Sequence, residues 1–121
     1  MDIELDELAR RCGDPDLILL DVRTGDEFSG ERGYPCDPRQ GHILGARHVP
    51  LVAFAEATPD DVRDIVGAPE GAEVVVYCHS GRRSALAAIA LEAAGYQARN
   101  YEGSWHEWSR RHELPIEVGV P

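Results

Sequence analysis

The sequence contains no lysine, and all twelve of its Lys and Arg positions are arginine. A chain without lysine forms no Schiff base and lacks the lysine of a phosphate-binding P-loop. Its 22 Asp and Glu side chains outnumber the arginines and leave a formal net charge of −10. Because this charge repels the phosphate backbone, nonspecific binding to DNA or RNA is disfavoured.

Long apolar runs and paired cysteines are also missing. No stretch approaches the roughly 18 apolar residues of a membrane span, and the acidic first dozen residues are unlike a signal peptide. Cys12, Cys36 and Cys78 form no Cys-x-x-Cys pair, so neither a zinc knuckle nor a dithiol redox centre is predicted. We therefore expect a cytoplasmic protein with free thiols, no metal centre, and neither membrane nor nucleic acid as partner.

The chain does have the length and hydrophobic pattern of one α/β domain spanning residues 1–121. Continuous apolar runs at 17–20 and 74–77 are typical of strands buried on both faces of a parallel sheet, and a further strand is expected at 99–101. Helices are predicted at 6–11, 60–66, 84–94 and 105–112. Residues 24–50, rich in glycine and proline, are predicted to form a long ordered loop with one helical turn at 26–29.

The second apolar run leads directly into a candidate nucleophile, Cys78, which is followed by His79, Ser80, Gly81, Arg82, Arg83 and Ser84. Functional residues of open parallel sheets collect at the carboxyl ends of strands, and Gly81 permits a tight turn there. Inward-pointing amides, a helix N-terminus and two arginines together lower the pKa of a thiol. The Cys-x4-Arg spacing also makes a tighter loop than the Cys-x5-Arg of cysteine phosphatases, which favours an anion smaller than phosphate.

Four segments, in this order, resemble the rhodanese family of sulfurtransferases. They are Asp-Val-Arg at 21–23, Gly-His-Ile-Leu-Gly-Ala at 41–46, Val-Tyr-Cys-His-Ser-Gly-Arg-Arg-Ser at 76–84, and Gly-Ser-Trp-His-Glu-Trp at 103–108, followed by Pro115. Ser104 departs from the second glycine of the family pattern and is similar to the catalytic halves of two-domain thiosulfate and mercaptopyruvate sulfurtransferases. The resemblance implies a central five-stranded, mostly parallel sheet flanked by helices on both faces.

The resemblance also implies an activity that needs no cofactor. Cys78 would accept the outer sulfur of thiosulfate, or of a low-molecular-weight persulfide, and pass it to cyanide or a thiol. Backbone amides of residues 79–84 would hold the persulfide sulfur. Arg82 and Arg39 are expected to face the anionic donor, whereas Arg83 is expected mainly to brace the loop, with a lesser share in substrate binding.

Five further side chains are assigned supporting roles. Asp21 is expected to accept hydrogen bonds from loop amides, and Arg23 to pair with an acid of the following loop. His42 is expected to anchor its loop through hydrogen bonds to the backbone. Of Trp105 and Trp108, one is expected to pack in the core and the other to line the rim of a pocket.

Several alternatives stay open at this point. The donor is either thiosulfate or, as the less favoured choice, 3-mercaptopyruvate, whose enzymes carry a Cys-Gly-Ser-Gly type of loop. An arsenate reductase or phosphatase is disfavoured by the loop spacing, and a non-catalytic binding module by the presence of Cys78. Cys36 is either a passive loop residue, which is favoured, or a relay thiol, and His79 is expected to point away from the loop interior. The acceptor remains open and includes thioredoxin or a sulfur-relay protein.

Overall fold

Four parallel strands form the central sheet, in the order β3-β1-β4-β5, in the computed structural model, which describes residues 1–120. These strands are β1 (Leu19–Asp21), β3 (Arg47–His48), β4 (Glu73–Tyr77) and β5 (Gln97–Asn100). A separate antiparallel pair joins β2 (His42–Ile43) to β6 (Ile116–Glu117). The helices are α1 (Leu5–Arg11), α2 (Gly25–Ser29), α3 (Pro59–Val66), α4 (Arg82–Ala93) and α5 (Ser104–Trp108), with a 3-10 turn at Leu51–Phe54. None of the helices within residues 1–120 has the length and apolar character needed to cross a membrane.

The α/β class and the parallel sheet with flanking helices are confirmed, but the expected count of five strands is wrong for the main sheet. The fifth position, beside β5, is occupied by the N-terminal residues through one isolated parallel bridge between Asp2 and Asn100. Two backbone hydrogen bonds hold it, from Ile3 N to Asn100 O at 3.1 Å and from Asn100 N to Met1 O at 2.9 Å. The chain turns into α1 at Leu5, so this contact is too short to extend into a strand.

Alternate residues of β1 and β4 supply two halves of the core, one on each face of the sheet. One cluster includes Leu20, Val74 and Val76 from the sheet together with Val62, Ala87 and Leu91 from α3 and α4. The opposite cluster includes Leu19, Val75 and Tyr77 together with Leu8, Trp105 and Trp108 from α1 and α5. Since successive residues of each strand enter opposite clusters, both faces must be apolar, which explains the uninterrupted apolar runs in the sequence.

Threonine caps fix where two of the helices begin. The Thr24 side chain accepts the Glu27 amide at the start of α2, and Thr58 accepts the Asp61 amide at the start of α3, each in a reciprocal capping box. The helical turn expected at 26–29 is therefore present as α2. In contrast, the helix expected over 105–112 ends at Trp108.

A buried ion pair lies at the carboxyl end of β1, where Asp21 is 0% and Arg23 is 1% exposed. The guanidinium donates to the carboxylate from Nε to Oδ1 at 3.0 Å and from Nη2 to Oδ2 at 2.7 Å, and Nη2 also donates to Gly41 O at 2.6 Å. Asp21 accepts one loop amide, that of Arg23, at 3.0 Å. The expectation that Arg23 pairs with an acid of the following loop is thus wrong, because Asp21, two residues before it, accepts the hydrogen bonds from Nε and Nη2 of its guanidinium.

We expect Asp21→Ala to lower the free energy of unfolding by about 3–5 kcal/mol, because it leaves a buried guanidinium without its carboxylate. Asp60→Ala is the matched control, since Asp60 pairs with Arg63 at 3.2 Å but its side chain is 95% exposed. Its loss should stay below about 1 kcal/mol. Urea denaturation followed by circular dichroism measures both values, and equal losses in the two variants would contradict the assignment.

Candidate active site

Cys78 follows β4 directly, and its side chain is enclosed by the loop that leads into α4. The Sγ atom accepts a hydrogen bond from the Gly81 amide at 3.0 Å and another from the Ser84 hydroxyl at 3.3 Å. The residue is only 1% exposed. The predicted loop therefore closes around the sulfur, with donors aimed at the position where negative charge would reside.

The turn of this loop depends on glycine at position 81. Gly81 has φ 91°, in the left-handed region, and a Cβ there would lie 2.8 Å from the backbone oxygen of Glu102. Its carbonyl oxygen accepts a hydrogen bond from Asn100 Nδ2 at 3.2 Å. A larger residue would have to push the loop away from the segment behind it, and the amide that contacts Sγ would move with it.

The electrostatics of the loop favour a thiolate at Cys78. Burial alone raises the pKa of this thiol, but hydrogen bonds from the Ser84 hydroxyl and from the amides of Ser84, Ser80 and Gly81 lower it further than burial raises it. The net pKa of Cys78 lies below the ordinary value of a cysteine. A thiolate is the nucleophilic form of cysteine, so the arrangement suits attack on an electrophilic sulfur.

Ser104, which departs from the second glycine of the family pattern, binds the backbone amide of Cys78. It has φ 55°, which normally favours glycine, and it is 0% exposed. Its Oγ accepts the Cys78 amide at 3.1 Å and donates to Tyr101 O at 2.8 Å. The hydroxyl thus makes two buried hydrogen bonds that a glycine could not, and these offset the unfavourable backbone conformation.

Arg83 braces the loop, as expected, and its partner is Glu27 of α2. The two guanidinium nitrogens lie 2.7 and 3.1 Å from the two carboxylate oxygens. Burial raises the pKa of Glu27, but the Arg83 and Thr24 donors lower it more, so the net pKa is below the usual range. Sequence reasoning missed Glu27, although the Thr-x-x-Glu pattern after the 21–23 motif marked it as a capping residue.

The structure separates the two arginines that were expected to contact the donor. Arg82 is exposed at the start of α4, and no other residue in the described range 1–120 accepts a hydrogen bond from it. Arg39 instead donates to the backbone oxygens of Ser109, Leu114, Trp108 and Arg111. The assignment of Arg39 to substrate binding is therefore wrong, because the carbonyls released at the end of α5 already occupy its guanidinium.

His79 turns away from the sulfur, as expected. Its Nε2 lies 2.9 Å from Oδ2 of Asp37, a fully buried carboxylate, and its ring stacks on Tyr34 at a centroid distance of 3.7 Å. Asp37 was not singled out in the sequence, where it is one acid among many in the long loop. Cys36, beside it, is exposed and has no disulfide partner, while Cys12 is half-buried and free.

The other supporting residues have structural roles. His42 Nδ1 donates to Phe28 O at 2.7 Å, so the backbone anchor expected of it is present. Both tryptophans are 0% exposed, and each indole nitrogen donates to a carbonyl oxygen, Trp105 to Arg39 and Trp108 to Pro115, at 3.1 Å. The expectation that one tryptophan lines a pocket rim is wrong, because the short helix α5 packs both against the sheet.

An acid-rich cavity of about 930 Å³ opens beside the loop at Ser80. Its walls carry five carboxylates and two arginines, namely Asp2, Glu4, Asp6, Glu102, Glu107, Arg110 and Arg111. Small anions are therefore repelled from this side of the loop, whereas Arg82 at the start of α4 is exposed and forms no ion pair within residues 1–120.

A buried thiol with a lowered pKa, held in an amide-lined loop at the carboxyl edge of a parallel sheet, is the arrangement expected of an α/β domain that uses a cysteine nucleophile. The sequence profile of the rhodanese-like domain matches residues 4–111. The chain therefore belongs to the rhodanese-like domain family, and the resemblance seen in the sequence is confirmed.

Named relatives agree with this membership. Thiosulfate sulfurtransferase of Azotobacter vinelandii is 32% identical over 93% of this chain and 44% of its own length. A Pseudomonas aeruginosa protein named "Probable 3-mercaptopyruvate sulfurtransferase" is 34% identical over 97% of this chain and 44% of its own length. A crystal structure described as "Probable Thiosulfate Sulfurtransferase" superposes with a TM-score of 0.82 and 45% identity over 96% of this chain and 47% of that one. This chain thus spans less than half the length of each.

Because the Ser84 hydroxyl is the leading hydrogen-bond donor that lowers the pKa of Cys78, we expect Ser84→Ala to raise that pKa. The rate of alkylation by iodoacetamide, measured from pH 5 to 10, should reach its half-maximum at higher pH in this variant. Since Cys36 and Cys12 also react, peptide mass spectrometry assigns each rate to its own thiol. An unchanged midpoint for Cys78 would show that the amides alone hold the thiolate.

Proposed function

We propose that this chain is a thiosulfate sulfurtransferase, which moves sulfane sulfur from thiosulfate to a thiophilic acceptor through a persulfide on Cys78. The observation that carries the proposal is the Sγ atom held by the Gly81 amide and the Ser84 hydroxyl, with its pKa lowered. The names of the relatives support the same reaction class.

In the first step the Cys78 thiolate attacks the outer sulfur of thiosulfate. A bond forms between Sγ and that sulfur, while the bond from the outer sulfur to the sulfonate sulfur breaks, and sulfite departs with the electron pair. Arg82 is exposed at the first position of α4, four residues after Cys78, and its guanidinium would attract the donor's sulfonate oxygens. The amides of the loop then surround the terminal sulfur of the persulfide, which carries the negative charge.

In the second step the acceptor, cyanide or a thiolate, attacks the terminal sulfur. The new bond forms to that atom, the persulfide bond breaks, and its electron pair returns to Cys78 as a thiolate. The hydrogen bonds from Gly81 and Ser84 that favour the thiolate at the start also stabilise it as the leaving group here. No organic or metal cofactor enters either step.

A second donor, 3-mercaptopyruvate, is favoured by one observation, the 34% identity to the Pseudomonas aeruginosa protein of that name. The same thiolate would attack the thiol sulfur of this donor. The carbon–sulfur bond of the donor would break, and the carbon would leave with the electron pair as the enolate of pyruvate, which takes up the proton of the donor's thiol. Thiosulfate remains our choice, because the loop begins Cys-His-Ser-Gly and has an unpaired Arg82 for a sulfonate.

Incubation with thiosulfate should increase the intact mass by one sulfur atom, located on Cys78 by peptide mapping. Cyanide should then remove this sulfur as thiocyanate and restore the original mass. Cys78→Ser should show neither change, whereas Cys36→Ser, the control at an exposed thiol, should show both. Full thiosulfate:cyanide activity in Cys78→Ser would refute the proposal. A sulfur taken from 3-mercaptopyruvate but not from thiosulfate would establish the second donor.

The two arginines should respond differently to substitution by alanine. Arg82→Ala removes an exposed charge, so we expect KM for thiosulfate to rise about tenfold, an effect of about 1.4 kcal/mol, with the melting temperature unchanged. Arg39→Ala leaves carbonyls at the end of α5 without their donor, so it should lower the melting temperature by several degrees. Steady-state kinetics and differential scanning calorimetry measure the two effects, and a KM effect of Arg39→Ala in a fully stable variant would reinstate the original assignment.

A further inference from the structure

We propose that Asp37, His79 and His106 form a binding site for a divalent transition metal of the zinc type. These residues meet on the side of the catalytic loop that faces away from the sulfur of Cys78. The site takes no part in the proposed sulfur-transfer reaction.

The three side chains bring their donor atoms together within a small volume. One ligand atom from each residue lies within 4.8 Å of the other two. Nε2 of His79 is 2.9 Å from Oδ2 of Asp37, and Nδ1 of His106 is 4.0 Å from Oδ1 of the same carboxylate. Ligands about 2.0–2.1 Å from a tetrahedral metal lie about 3.3 Å apart, so relative shifts of up to about 1.5 Å would complete the set.

The backbone already fixes the elements that carry these donors. The His106 amide donates to His79 O at 3.0 Å, so the backbones that carry the two imidazoles are held side by side. Tyr34 stacks on the His79 ring, and the Asp37 amide donates to Tyr34 O at 3.0 Å, so the third donor is tied to the same structure. A metal would therefore find its ligands largely pre-organised.

Burial and charge set the chemistry of the site. Asp37 and His79 are buried, whereas the His106 side chain is 54% exposed and leaves an entry path and an open coordination position for water. Two imidazoles, one carboxylate and an open position are the donor set of many zinc centres. Arg110 donates to Oδ1 of Asp37 at 2.8 Å, which orients the carboxylate and leaves Oδ2 for the metal.

The Arg110 charge opposes a cation, so the expected affinity is moderate and a hard ion such as Mg²⁺, which prefers oxygen ligands, should not bind. In the absence of metal, Asp37 is paired with His79 and Arg110, and the metal would replace the hydrogen bond between Oδ2 and Nε2. A metal at this site therefore competes with the existing interactions of Asp37 with His79 and Arg110.

The test is isothermal titration with Zn²⁺ in the Cys36→Ser, Cys78→Ser double variant, so that neither thiol binds the metal. We expect one equivalent of Zn²⁺ to bind, and His106→Ala to weaken binding at least about tenfold. His112→Ala, at an exposed histidine outside the cluster, is the matched control and should bind as the parent does. Co²⁺ should give the visible absorption bands of a site with four or five ligands, and Mg²⁺ should give no heat.

No Zn²⁺ binding in the parent, or equal binding in the His106→Ala and His112→Ala variants, would overturn the proposal. Melting temperatures of the apo variants serve as the check on folding, and because His106 is exposed we expect His106→Ala to retain that of the parent. Sulfur transfer is not read in this experiment, so its outcome is independent of the proposed function.

Discussion

The parallel register of β1 with β4 is the constraint on which the site depends. It sets Asp21 opposite Tyr77, so the chain leaves both strands at one edge, with Arg23 and Cys78 only one or two residues further on. The Arg23 guanidinium lies 5.0 Å from the Trp105 ring and 5.7 Å from the Tyr77 ring, and it donates to Gly41 O. One buried cation therefore contacts residues of the first strand, the long loop and the last helix.

In a chain without lysine, arginine supplies the permanently charged cationic side chains, and their planar donors serve several purposes in the structure. Arg23 donates to the buried carboxylate of Asp21, and Arg83 donates to Glu27. Arg39 donates to four backbone oxygens. An ammonium group has three donors and no planar fork, so it could not span the carbonyls that Arg39 holds. Of the two arginines of the loop, Arg82 is exposed and Arg83 is paired with Glu27, so a protein of net negative charge keeps one arginine without an ion-pair partner at the start of α4, as far as residues 1–120 show.

The elements of the fold that depend on short stretches of sequence were predictable from the sequence. The apolar runs predicted β1 and β4. The stretch from Cys78 to Ser84 predicted a tight glycine turn and the start of a helix after β4. The roles of Arg39 and the tryptophans were misjudged because they depend on where α5 ends, which is a tertiary property. Asp37 and Glu27 could not be distinguished from the other acidic residues without knowing which loops meet. The prediction of a fifth strand is wrong because α1 already begins at Leu5.

The segment that begins α5 has a consequence for the order in which the site matures during synthesis. Ser104 holds the Cys78 amide, and the amides of Trp105 and His106 donate to the carbonyls of Cys78 and His79. A growing chain that has passed residue 84 already contains the thiol, its hydroxyl donor and the brace from Arg83 to Glu27, but it lacks the hydrogen bonds that residues 104–106 make to the backbone of Cys78 and His79. The loop around the sulfur can therefore reach its final shape only after residues 104–106 have been synthesised and have docked on it.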